Sequence, residues 1–118
     1  MNNPYSIFYT LGMSLLISAC AVRPAQPTEA DVLRATEMYP DITLDQLNQG
    51  LDYYKQYCTP CHKLKDPNSE TVADWQKIVP AMAKKAGRAE DIADIPEDVQ
   101  LSITRYLTTM TIRTVSAQ

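Results

Sequence analysis

Residues 43–62 read TLDQLNQGLDYYKQYCTPCH, and two local signals overlap in them. Thr43 with Gln46 forms a capping box, a side-chain pairing that starts a helix. Leu47, Leu51, Tyr54 and Cys58 then recur at helical spacing, so one apolar face leads to the first cysteine. Gly50 falls inside this helix at a propensity cost of about 1 kcal/mol. Either a second helix passes close by, where only a hydrogen fits, or Gly50 is a tolerated surface residue. The stretch closes on Cys58-Thr59-Pro60-Cys61-His62.

The C-x-x-C-H spacing is that of covalent c-type haem attachment. Two thiols must reach the two vinyl groups on one edge of a porphyrin, and the next histidine must turn under the ring to bind iron. His62 is the only histidine in the chain, so it is the expected proximal ligand. A bare C-x-x-C also suits a redox dithiol or half of a zinc site. A zinc site needs further thiol or imidazole ligands, and the third cysteine, Cys20, lies in a segment of different character. A thioredoxin-like dithiol should follow a strand in a βαβ unit, and no such pattern is present. One covalent haem on Cys58 and Cys61 is therefore the expectation.

At 118 residues the chain predicts one small domain, whose core would be marginal without a large apolar group to wrap. Its formal net charge is −3, and all charged residues follow Cys20, which speaks against a nucleic-acid binder. Ile7–Ala19 is apolar or small. It falls short of the about 20 residues of a membrane span but fits the roughly 7–15-residue core of an export signal. Its end, Leu16-Ile17-Ser18-Ala19-Cys20, resembles the lipobox of bacterial lipoproteins. The resemblance implies removal of residues 1–19 and lipid on Cys20, although the first nine residues carry no Lys or Arg. Ordinary cleavage nearby, or an uncleaved anchor, are the alternatives. Export agrees with haem c, which bacteria attach outside the cytoplasm, and Ala21 after the cysteine leans toward the outer membrane.

Residues 20–42 read as lipid anchor, flexible tether with Pro24 and Pro27, and a short helix within Thr28–Met38. Tyr39-Pro40-Asp41 breaks any helix. Residues 43–110 form the domain proper. After His62, Lys63–Glu70 is a loop. Thr71 caps the next helix, with Asp74 in its first turn. Trp75, Ile78, Val79 and Met82 make one helix face, with Pro80 predicting a kink or change of direction. Lys84, Lys85 and Gly87 mark that helix's end. Pro96, Glu97 and Asp98 open a last helix with Val99, Ile103, Tyr106, Leu107 and Met110 on its apolar face. Residues 111–118 read as a frayed tail. No segment alternates as a strand would, so the fold class is all-α.

Gly50, Tyr54 and Cys58 resemble the N-terminal helix of class I c-type cytochromes. More narrowly, Pro40, Leu47-Asn48-Gln49-Gly50, Tyr54, the haem motif, Pro67, Trp75, Met82 and Tyr106-Leu107 resemble small bacterial haem lipoproteins and diheme-cytochrome-like domains. The likeness covers Ala35–Met110. It implies a cytochrome c-like fold with three main helices around one covalent haem, a close crossing of the Gly50 helix by the C-terminal helix, and Met82 as the sixth iron ligand. Met sulfur opposite His raises the reduction potential. Met110 is the rival ligand, and an open sixth position is the third possibility. Trp75 is expected against the porphyrin, its indole N–H reaching a propionate, with ordinary core packing as the alternative.

The function implied is one-electron transfer by a membrane-tethered, periplasmic carrier. The chain resembles no acid–base or metal-activated catalyst, so it is expected to be a carrier or the haem subunit of a larger redox complex rather than an enzyme. A haem-based gas binder and a fixed structural subunit of a respiratory or photosynthetic complex are the other classes. Between residues 63 and 88, six Lys and Arg outnumber three acids, whereas residues 89–98 hold five acids and no base. If the basic stretch rings an exposed haem edge, it suits an acidic redox partner; the alternative is an ordinary solvated surface.

Overall fold

A computed structural model describes residues 23–89 and 92–116. They form four α-helices: α1 (Glu29–Ala35), α2 (Leu44–Cys58), α3 (Val72–Ala86) and α4 (Glu97–Ser116), with a 3-10 turn at Pro67–Ser69. No strand occurs among the described residues, so the all-α class holds. The short helix expected within Thr28–Met38 is α1. The segment expected to be an export signal, and Cys20, lie outside the described residues. Among the described residues no helix is long and apolar enough to cross a membrane.

Local chemistry sets the helix starts. The Thr43 hydroxyl accepts from the Gln46 N–H at 3.2 Å while the Gln46 amide oxygen accepts from the Thr43 N–H at 3.0 Å, the reciprocal bonds of a capping box. Thr71 caps α3 through its hydroxyl alone, Oγ1 accepting from Asp74 N at 3.1 Å and donating to the Asp74 carboxylate at 2.6 Å. That hydroxyl is the main reason the Asp74 carboxyl is held below its ordinary value. Pro80 does not end α3, which runs on to Ala86. Gln76 and Pro80 are both exposed, so the carbonyl that loses its donor lies on the wet side of the helix.

α4 is the axis of the domain and touches α1, α2, α3 and the 3-10 turn. Leu51 and Tyr54 from α2, Trp75 and Val79 from α3, and Ile103, Tyr106, Leu107 and Met110 from α4 make the main core. Ala35, Ile42 and Leu47 form a smaller cluster under α1. α2 and α4 meet closely at Gly50. A Cβ there would lie 2.8 Å from Tyr106 Cβ and closer still to the backbone oxygen of Ser102. The crossing inferred from the helix glycine is thus present, and the surface reading of Gly50 falls.

Two expectations are corrected. The tether reading does not hold for Ala25–Thr28. Tyr106 donates its hydroxyl to Ala25 O at 2.9 Å, Gln26 donates to the Asn48 side chain at 2.8 Å, and Pro27 is buried. This strap lies on α2 and α4 because the α4 tyrosine offers a donor that the segment's own composition does not reveal. Nor is the chain frayed directly after Met110, since α4 continues to Ser116. Thr111 Oγ1 lies 2.7 Å from Pro67 O and 2.8 Å from Leu107 O, sharing its proton between them. A polar bond to a distant carbonyl holds that turn, so apolar periodicity gave no sign of it.

Candidate functional site

The last turn of α2 brings Tyr54, Tyr57 and Cys58 to one side of a cavity of about 390 Å3. The chain leaves the helix at Thr59, whose hydroxyl donates to Lys55 O at 2.7 Å, and turns through Pro60. That turn sets Cys61 and His62 on the same rim. α3 supplies Trp75, Ile78, Val79 and Met82, and α4 supplies Ile103 and Leu107 as the inner wall. The volume falls in the range of small-molecule and cofactor sites, roughly 300–1,000 Å3, and the lining is mostly apolar, as such sites are.

His62 is exposed, and its Nδ1 lies 2.7 Å from Lys63 O. A carbonyl only accepts, so Nδ1 carries the proton of this bond, and the Nε2 lone pair of the neutral ring is the one left for a metal. Both cysteines are free thiols, Cys58 half-buried and Cys61 exposed. Burial, and then the neighbouring Cys61, push the Cys58 thiol up to about 11. A redox dithiol needs the opposite shift, toward thiolate.

Cys58, Cys61, His62, Trp75 and Met82 therefore meet around one cavity. Met110 does not: it is 2% exposed in the main core and absent from the cavity wall, while Met82 is on the wall and 39% exposed. Cys20 lies outside the described residues. One role assigned to Trp75 is corrected. Its Nε1–H donates to Pro67 O at 2.8 Å in a buried bond, so it has no proton to offer an acid group in the cavity. Its ring still lines the wall.

Sequence reasoning missed two features. Ile95 and Gln100, at the entry to α4, also line the cavity, and Gln100 Nε2 donates to Ile95 O at 2.7 Å. Their only signal was proximity to the helix start. The Tyr54 hydroxyl donates to Lys65 O and accepts from Lys65 N, each at 2.9 Å. Burial raises the Tyr54 phenol to about 12, although the Lys65 bond pulls the other way. Of the basic stretch, Lys65 and Lys85 reach the rim, Lys65 paired with Glu70 at 2.6 Å.

The residues fit a haem c. The thiols and imidazole sit on one edge of an apolar cavity and a thioether sits on its α3 wall. Among the described residues no three His, Cys, Asp or Glu side chains gather where they could hold a metal ion by themselves. No protein family, characterised protein or solved structure matches this chain.

Proposed function

We propose that this chain is a one-electron carrier of the cytochrome c type, with α2, α3 and α4 enclosing one covalent haem. One arrangement carries the reading: a single apolar cavity bearing the C-x-x-C-H motif on its rim and Met82 on its wall. The haem would supply the ferrous/ferric couple. Cys58 and Cys61 would hold it by adding their S–H bonds across its vinyl groups. His62 would bind through Nε2, with Nδ1–H fixed on Lys63 O. Met82 would offer its thioether as the sixth donor. Trp75, Val79, Ile103 and Leu107 exclude water from the inner side, and a dry, rigid surround limits rearrangement between charge states.

Lys65 and Lys85 at the rim suit an acidic redox partner, either freely exchanging or within a larger complex. Lipidation of Cys20, placing the domain on the periplasmic face of a membrane, the outer one favoured, belongs to the same proposal. The test is the mature protein purified from its own membranes. Mass spectrometry should find one haem that survives acid–acetone extraction and an N-terminal diacylglyceryl cysteine. Extractable haem, or bound zinc, refutes the carrier; an unmodified cysteine refutes the anchor alone. Tight CO binding by the untreated ferrous protein turns the assignment to gas binding.

A further inference from the structure

We propose that Tyr54 is a positioning residue: through Lys65 its hydroxyl sets the orientation of the His62 imidazole. The inference rests on His62 being the proximal ligand of the proposed function. Among the described residues, no backbone group of Lys63, Leu64 or Lys65 pairs with another backbone group. Leu64 packs partly buried on the main core and the Lys65 ammonium pairs with Glu70, but the loop's backbone near the histidine is held by Tyr54, which donates to Lys65 O and accepts from Lys65 N, both at 2.9 Å. One phenol thereby satisfies both peptide groups of a single residue. Its ring is 3% exposed, held between the cavity and Tyr106, with ring centroids 6.1 Å apart. The hydroxyl therefore projects from a rigid base.

The farther end of the loop is fastened separately, where Trp75 and Thr111 both donate to Pro67 O. Lys63 O, the acceptor for His62 Nδ1–H, lies two residues before Lys65 on the histidine side. Its place is set by the His62 junction behind it and, ahead of it, by the Leu64 packing and the Tyr54 bonds to Lys65. A ligand's second nitrogen governs both its ring orientation and its basicity. Freeing Lys65 should lengthen the Nδ1–H bond to Lys63 O and make the imidazole a weaker electron donor. The ferric state then loses stabilisation, and the midpoint potential rises.

The test uses the full-length protein as purified, in the reduced state. Tyr54→Phe keeps the ring and removes only the hydroxyl. Tyr106→Phe is the control: it removes a hydroxyl from the same core, one bonded to Ala25 O and not to the loop. The His62 Nδ1 proton, followed by 1H–15N NMR, reports the Lys63 bond whether or not haem is attached. Tyr54→Phe should move it upfield and speed its exchange on the order of tenfold, the equivalent of about one lost hydrogen bond. In haem-bearing protein the midpoint potential should rise as well. Tyr106→Phe should change neither. If Tyr54→Phe lowers thermal stability but leaves the Nδ1 proton as in wild type, Tyr54 only packs and the proposal fails. It fails equally if Tyr106→Phe gives the same shift. Should Tyr54→Phe not fold, hydrogen exchange of the wild type decides: the Lys65 amide should be protected and open together with the Nδ1 proton, and an unprotected Lys65 amide overturns the proposal. Protein isolated without haem overturns the carrier, and the Nδ1 proton still decides the role of Tyr54.

Discussion

Gly50→Ala separates two effects of opposite sign. In an uncrowded helix interior, alanine is more favourable than glycine by about 1 kcal/mol. At Gly50 the new Cβ would meet Tyr106 Cβ at 2.8 Å and the Ser102 backbone oxygen closer still. Carbon atoms settle at about 3.5–4.0 Å, so α2 and α4 must part by about 1 Å at their crossing. Neither obstacle is the tip of a flexible side chain, so neither can rotate away. Overpacking of this kind costs about 1–3 kcal/mol. The upper part of that range applies here, because the separation also loosens Leu51 and Tyr106 in the main core. Subtracting the propensity gain leaves about 2 kcal/mol of net destabilisation. For a domain of this size that lowers Tm by about 8–16 °C. Thermal unfolding followed by far-ultraviolet circular dichroism measures it, and a urea midpoint at unchanged slope checks that stability alone has moved. A Tm at or above wild type would refute the close crossing and return Gly50 to a surface role.

Met82→Ala should lower the midpoint potential, remove the weak far-red band of methionine-ligated ferric haem and admit CO, because thioether ligation favours the ferrous state. Met110→Ala should leave the spectrum intact and cost about 2–5 kcal/mol of stability as a core truncation; loss of the band in Met110→Ala alone would reverse the ligand assignment. Tyr54 gives an alkaline signature. Its folded value, about 12, stands above the ordinary 10.0. The folded chain therefore holds a proton that the unfolded chain releases, and this stabilisation is complete below pH 10 and lost as pH rises from there through about 12. Urea unfolding across that range should be less pH-dependent in Tyr54→Phe than in wild type; identical slopes would argue against a buried phenol.

Much of this was legible along the chain, because the signals lie within a few residues of one another. The capping boxlike pairing of Thr43 with Gln46 started α2 where the structure starts it, and Thr71 did the same for α3. The apolar repeat from Leu47 to Cys58 placed the motif at the end of a helix. The misplaced helix glycine announced a neighbour, although only packing identified the contacts as Ser102 and Tyr106. His62 stood out because the chain has no other histidine.

Contacts between distant residues left no such trace. Sequence admitted both Met82 and Met110 as iron ligands; the way α3 and α4 pack puts one on the cavity wall and the other in the core. Trp75 was expected to offer its N–H outward, yet Pro67 O takes it. Ala25–Thr28 has a tether's composition, and its attachment depends on Tyr106, far along the chain. The extra length of α4 depends likewise on a bond from Thr111 to Pro67. Capping and periodicity are local, because a helix bonds each residue to one four places away. A hydroxyl or indole N–H takes whichever acceptor the packed helices bring to it, so those partners exist only once the tertiary structure has formed.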